Sequence, residues 1–218
     1  MAIAINGSGT ITGLAVGGLP DGTIDNGCMA DDAIDSAELA DGGIDSAHLA
    51  SGVGGKILQV QNTTVTAIQT IAASSAWVDS LLTCAITPSS ASNKILISMT
   101  ATGEGNAANQ QRFTYRIKKA ISGGATSYLV GAAAGTRILM TGITGDLTDD
   151  SSTTASSFSL SNFLDSPSTT SAVTYTIQIT YDSALGAGTY YLNRNATDTE
   201  STSTPRYISW ITLMEVAG

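Results

Sequence analysis

Basic side chains are scarce in this chain of 218 residues: nine Lys and Arg stand against 18 Asp and Glu, a net charge of −9. That balance argues against binding to nucleic acid, which needs a basic face to displace counterions from phosphates. It argues equally against a polybasic membrane anchor. Long apolar runs are missing too. No stretch approaches the roughly 20 residues that span a bilayer, so no membrane insertion is expected. The opening residues lack the positive flank and long apolar centre of a signal peptide. Cysteine is limited to Cys28 and Cys84, too few for a disulfide framework and without the spacing of a metal site. His48 is the single histidine. It has neither a partner histidine nor a nucleophile motif around it, and it reads as a solvated residue. No cofactor and no metal are expected.

Aromatic residues are absent from the first quarter. All twelve Phe, Tyr and Trp lie from Trp77 onward. Residues 1–55 hold eight acidic residues (Asp21, Asp25, Asp31, Asp32, Asp35, Glu38, Asp41, Asp45) and no Lys or Arg. Residues 56–218 hold the other ten acidic and all nine basic residues. Aromatic rings give the largest burial per residue. A segment without them, rich in Gly, Ala and Asp, cannot bury enough surface alone to offset chain entropy. The first quarter is therefore either disordered or ordered by contact with other chains, and the repeat in it favours the second. The composition changes at a glycine-rich hinge, Gly52-Val53-Gly54-Gly55.

What this quarter does contain is a ten-residue repeat: LPDGTIDNGC at 19–28, MADDAIDSAE at 29–38, LADGGIDSAH at 39–48, then LASGVG. A repeat unit usually cannot bury its own apolar face. Large aliphatics recur every five positions, at Leu19, Ile24, Met29, Ile34, Leu39, Ile44 and Leu49. Five matches neither the helical nor the strand period. On one helix such residues would sit about 500° apart and wander around the cylinder. A chain that bends once or twice per repeat, sending one aliphatic inward each time, fits better. One residue in five can be buried only against symmetry mates, so a parallel homotrimer with these seven residues on its axis is expected. Short helical turns, capped by Asp35 or Asp45, remain an alternative for the local path. Asp25, Asp35 and Asp45 fall in register. A cation ladder is conceivable on that ground. Turn-forming, solvated carboxylates are the preferred reading, because no segment matches a full calcium loop. Cys28 shares its repeat position with Glu38 and His48, which marks a tolerant surface position.

From Lys56 onward the pattern turns to strands. Val173–Tyr181 places a large apolar residue at every second position, with Thr or Gln between, and reads as a strand with one wet face. Phe113, Tyr115 and Ile117 alternate in the same way over 112–118, and Ile95, Ile97 and Met99 over 94–100. Residues 207–216 are apolar on both faces. They suit a central strand, or one with its second face against another subunit. Further strands are expected near 57–66, 81–87, 126–131, 136–141, 157–163 and 188–193. Loops are expected at 88–93, 102–110, 144–156, 164–171, 182–187 and 195–205. About eight to ten strands at this spacing predict an all-β fold, a C-terminal antiparallel β-sandwich of jelly-roll type over 56–218.

The decapeptide array, the opening Ile5-Asn6-Gly7-Ser8-Gly9-Thr10-Ile11-Thr12-Gly13-Leu14 and the following Val16-Gly17-Gly18-Leu19-Pro20-Asp21-Gly22-Thr23-Ile24 resemble virion fibre proteins of tailed bacteriophages. Gly55-Lys56-Ile57-Leu58-Gln59-Val60, Asp165-Ser166-Pro167 and Ile211-Thr212-Leu213-Met214-Glu215-Val216 are similar to the β-rich heads of such fibres. The resemblance implies a homotrimer located in the virion, with three parts: a particle-docking segment at 1–18, a repeat shaft at 19–55 and a knob at 56–218. It implies other tail, baseplate or capsid proteins as partners, and it brings no shared catalytic residues.

Within that frame Ile3, Ile5, Ile11, Leu14 and Val16 are the docking candidates, in a Gly-rich alternation suited to adding extended chain to another protein. Tyr207, Ile211 and Leu213 on the last strand are candidates for the contact between knobs. A host-surface glycan is the expected ligand. Sugar sites commonly set an aromatic face beside amides and hydroxyls, and Tyr190, Tyr191, Asn193 and Arg194 offer those types; the same tyrosines also suit a strand core. A purely architectural protein without a receptor is the alternative. Hydrolysis by paired carboxylates would draw on Asp146, Asp149, Asp150, Asp165 and Asp182. No spacing singles out a pair, all lie in loop-like sequence, and turn chemistry is the reading adopted, so the chain is not expected to be an enzyme.

Overall fold

The computed structural model describes residues 56–73, 76–107, 113–143, 155–181 and 188–218. The expected docking segment and repeat shaft, with every residue singled out in them, lie outside the described residues, as do Asp146, Asp149, Asp150 and Asp182. The described part is all-β and contains no helix. Eleven strands run β1 Ile57–Val65, β2 Gln69–Ala73, β3 Val78–Ile86, β4 Lys94–Ala107, β5 Phe113–Ile121, β6 Thr126–Leu129, β7 Gly142–Ile143, β8 Ser156–Asp165, β9 Val173–Tyr181, β10 Gly188–Leu192 and β11 Ser209–Val216.

They form two antiparallel sheets. The six-stranded sheet has the order β1-β11-β4-β10-β2, with β8 on the other side of β4. The 14-residue β4 makes this possible. Its first half pairs with β11 and its second half with β10, while β8 runs along its opposite edge. The five-stranded sheet has the order β3-β9-β5-β6, with β7 pairing the start of β5. Alternation decides which side chains turn inward. Ile95, Ile97, Met99, Phe113, Tyr115 and Ile117 are buried as their spacing predicts, and so are Val173, Tyr175, Ile177, Ile179 and Tyr181.

Rings from both sheets meet in the core. Tyr181 contacts Phe113 at 5.1 Å between centroids, Phe113 contacts Tyr190 at 5.4 Å, Tyr190 contacts Phe158 at 5.3 Å and Phe158 contacts Tyr115 at 5.1 Å. The tilted and edge-on geometries set ring edges against ring faces, worth about 0.5–1.5 kcal/mol per pair beyond burial. Glycine supplies the room. A Cβ at Gly105 on β4 would run into the Phe113 ring. This explains one departure from expectation. The Gly-rich stretch read as a loop from 102 is strand through Ala107, because its glycines make space for aromatic rings rather than turns.

Other departures have local causes. Residues 136–141 are not a strand. Thr141 donates its hydroxyl to the Leu129 carbonyl and accepts from the Ile117 amide at 3.0 Å, so a side chain stands in for the ladder. Strand β2, with Ile71 as its one large aliphatic, forms because Ile71 faces Tyr190 across the pairing. Strand β9 does not keep a wet face. It is central in its sheet, and Thr176, Gln178 and Thr180 are buried along with the apolar set.

Two buried carboxylates pin the fold at separate points. Asp165 accepts from Lys119 Nζ at 3.0 and 3.1 Å and from the Tyr175 hydroxyl at 2.7 Å, joining β8 to the opposite sheet. Burial, then the neighbouring Asp165 charge, push the Tyr175 phenol far above its usual range. Glu215 has no cationic partner among the described residues. Its carboxylate accepts from the Ser89 amide and Asn93 Nδ2 at 2.6 Å, from the Ser89 hydroxyl at 2.8 Å and from Gln59 Nε2 at 2.6 Å. Burial works to raise its pKa, but the donors from Asn93, Gln59 and Ser89 outweigh it and hold the group at about 2.

Candidate functional site

Tyr190, Tyr191, Asn193 and Arg194, at the end of β10 and just beyond it, were expected to offer a sugar contact, and the structure divides the four. Tyr190 is wholly buried in the aromatic core, with its hydroxyl donating to the Ser156 carbonyl at 3.4 Å. Asn193 is wholly buried with φ +63°, a conformation asparagine tolerates. Its Nδ2 donates to the Val65 and Ala67 carbonyls at 2.8 and 2.9 Å, and its Oδ1 accepts from the Ser209 hydroxyl at 2.6 Å. These bonds tie the ends of β1, β10 and β11 together. Neither residue has a free polar group to offer a ligand, so both are corrected to structural roles.

Tyr191 and Arg194 lie outside the core. The guanidinium sits 4.2 Å over the Tyr191 ring. Its Nη1 donates to the Asn195 and Ala196 carbonyls at 2.9 and 3.1 Å, and its Nη2 to the Thr70 hydroxyl at 3.2 Å. The segment that follows folds back, with Arg194 bridging Arg206 and the Tyr207 amide donating to the Asn193 carbonyl at 3.0 Å. Glu104 is buried beneath it, accepting from Asn195 Nδ2 at 2.8 Å and the Ala196 amide at 3.1 Å. Burial raises the pKa of Glu104 against the pull of those donors and of Arg194. Above lies an open cleft of about 430 Å³ lined by Asp198, Thr199, Glu200, Ser201, Thr204 and Arg206. Its two ends are joined by the Arg206–Asp198 pair at 2.6 Å. The lining is polar and carries no ring.

The last strand is corrected likewise. Ile211 and Leu213 are wholly buried within the chain and cannot reach another subunit. Tyr207 is half-buried, with its hydroxyl donating to Asn195 Oδ1 at 2.8 Å. The residues of β11 that face outward are Trp210, Thr212, Met214 and Val216, all half-buried.

The aromatic-plus-amide chemistry expected at residues 190–194 stands instead on the outer face of the five-stranded sheet. Arg116 on β5 lies 3.7 Å from the Tyr128 ring centroid and 4.5 Å from that of Trp77. Its Nε donates to Gln178 Oε1 at 2.7 Å, and Gln178 Nε2 donates to Asp79 Oδ1 at 2.6 Å. Lys118 pairs with the other oxygen of Asp79. Burial works to raise the Asp79 pKa, and the hydrogen bonds from Lys118 and Gln178 reverse it, so the carboxylate titrates below its usual range. Register explains the assembly. Asp79, Gln178 and Arg116 are cross-strand neighbours over β3, β9 and β5, and Lys118 faces Tyr128 on β6. Tyr128 is 41% exposed, and Trp77 and Lys118 are partly exposed. The result is a ribbon of two rings, one guanidinium, one amide, one carboxylate and one ammonium on a rigid sheet. No sequence signal joins residues so far apart; only strand pairing does.

Among the described residues no three His, Cys, Asp or Glu side chains gather as a metal site, and no helix is long and apolar enough to cross a membrane. Asp165, one of the carboxylates weighed for hydrolysis, is held by Lys119 and Tyr175. Cys84 is a free, buried thiol. No model of a known protein family matches the chain, and no curated protein sequence matches it.

Proposed function

We propose that this chain is a structural fibre protein of a tailed-bacteriophage virion. In this reading it is a homotrimer that docks to the particle through residues 1–18, rises through the repeat at 19–55 and presents residues 56–218 as a jelly-roll-like knob to the host surface. The observation that carries the reading is the order of parts: a ten-residue repeat with aliphatics every fifth position, acidic and free of aromatics, followed directly by an all-β unit of two antiparallel sheets. A thin repeat that cannot fold alone gains from a terminal globule that gathers copies, because association raises the effective concentration of the remaining segments.

For the attachment surface, the Trp77–Arg116–Tyr128 ribbon is the best-suited part of the described residues, and the ligand class is a host-surface glycan. Flat rings stack on the apolar faces of sugars, while Asp79 and Arg116 are planar groups that pair with hydroxyls and are held in place by the buried Gln178 amide between them. The test is saturable binding of the purified full chain to glycans and cells of the bacterial host. Trp77→Ala is expected to weaken binding about tenfold or more with the fold retained, since the ring is only partly buried. Binding that Trp77→Ala and Tyr128→Ala leave unchanged places the contact elsewhere. No binding to any host glycan favours the architectural alternative, a capsid-decorating or baseplate-connecting protein without a receptor.

A further inference from the structure

The two sheets turn very different outer faces to solvent. The five-stranded sheet displays Asp79, Arg116 and Lys118. On the six-stranded sheet, pairing aligns Val60, Met214, Leu96 and Leu164 side by side across β1, β11, β4 and β8. Val60 is 52% exposed and Leu164 is 47% exposed. The next rows are Asn62, Thr212 and Ser98, then Thr64, Trp210, Thr100 and Ser159. None of these residues is charged. Lys94, opposite Val216, marks the corner of the face. Beside it, β1 is an edge strand of nine residues, ILQVQNTTV, whose one partner among the described residues is β11. Natural edge strands are usually protected by charge, proline, a bulge or shortness. Strand β1 has no charge and no proline, it is long, and its one register shift lies at its very start. Ile57 and Leu58 add exposed aliphatics there.

We infer that this face and the β1 edge are where copies of the chain pack together, the partner being a second copy of this chain. The inference rests on the oligomeric fibre reading and gives its knob contact a location, in place of the buried Ile211 and Leu213. Charge selects the occupant. A surface meeting its own copies must not set like charges together, and the three rows carry none, with Lys94 confined to the corner. The chain's own leader carries eight acidic and no basic residues, and the rows offer those carboxylates no cation. One aliphatic row flanked by rows of Ser, Thr and Asn fits an apolar contact with hydrogen-bonding flanks.

The test uses the full chain and reads molar mass by light scattering together with hydrogen exchange of the β1 edge amides, those that point away from β11. Wild type is expected to be oligomeric with slowly exchanging β1 edge amides, and dilution to monomers should release that protection. Val60→Lys and Leu164→Lys, at half-exposed positions that should leave the circular dichroism spectrum unchanged, are expected to speed exchange of the β1 edge amides at least tenfold at the undiluted concentration. An oligomer whose β1 edge amides exchange equally fast in wild type and variants overturns the inference but leaves the fibre reading intact. Protection that survives dilution to monomers assigns the face to the chain's own leader and also overturns it. A wild type that is monomeric at every concentration removes both.

Discussion

Glu215 provides a quantitative test of how the six-stranded sheet is fastened to the β3–β4 connection. Its carboxylate is wholly buried and is held by four hydrogen bonds from neutral donors on Gln59, Ser89 and Asn93. The carboxyl titrates at about 2 in the folded chain against 4.5 as the reference value. Because the folded pKa is the lower one, the unfolded chain binds the proton more readily. The stabilisation is therefore complete above pH 4.5 and is lost as pH falls from there toward 2. At about 1.4 kcal/mol per pH unit of separation, this amounts to about 3 kcal/mol. Glu215→Gln keeps the shape but turns an amide N–H₂ toward at least one donor, leaving a buried donor unsatisfied. It should cost about 2–3 kcal/mol at pH 7. Urea unfolding followed by tryptophan fluorescence, at one fixed protein concentration, gives both stabilities at pH 7, 5, 4 and 3. The gap between wild type and variant should shrink steadily below pH 4.5, since other titrating groups are common to both. A gap of the same size at pH 7 and pH 3 would refute the account of how the carboxylate is held.

Two further outcomes follow from packing and from the repeat. Gly105→Val should destabilise the fold by about 3 kcal/mol or more, because the new side chain enters space held by the Phe113 ring. Adding Phe113→Ala should make the double variant less unstable than the sum of the two single changes, as read in thermal melts; simple additivity would mean that the two sites do not collide. Replacing Ile34 and Ile44 with Asp should loosen the repeat while leaving the two-sheet unit folded, seen as faster proteolysis within 19–55. Unchanged proteolysis and melting would mean that these side chains do not face one another.

Much of the fold is legible in the sequence. The alternation at 94–100, 112–118 and 173–181 identified strands and their buried faces, because one strand's pleat sets which residues share a side. Reading failed where a neighbour decided. Glycines that make room for rings look like loop residues until the rings are in place, which is why 102–107 was misread. The stretch 136–141 has strand-like composition, but the Thr141 side chain takes up the bonds a ladder would use. The candidate sites were less legible still. Tyr190 and Asn193 had suitable chemistry for a ligand, yet their burial depends on strands more than a hundred residues upstream. Trp77, Asp79, Arg116, Tyr128 and Gln178 carried no shared signal and meet only through register.

The amino-acid order thus accounts for the all-β character of the described residues from Lys56 onward, for the inward faces of their clearest strands and for the acidic, ring-free repeat that precedes them. These are properties of local period and composition, which each segment carries with it. Which outer face is charged and which is bare, which tyrosines are sealed, and how Glu215 is held were settled only by pairing strands distant in the chain. A side chain's exposure and charge environment belong to its cross-strand neighbours, and those neighbours exist only once the sheets have formed.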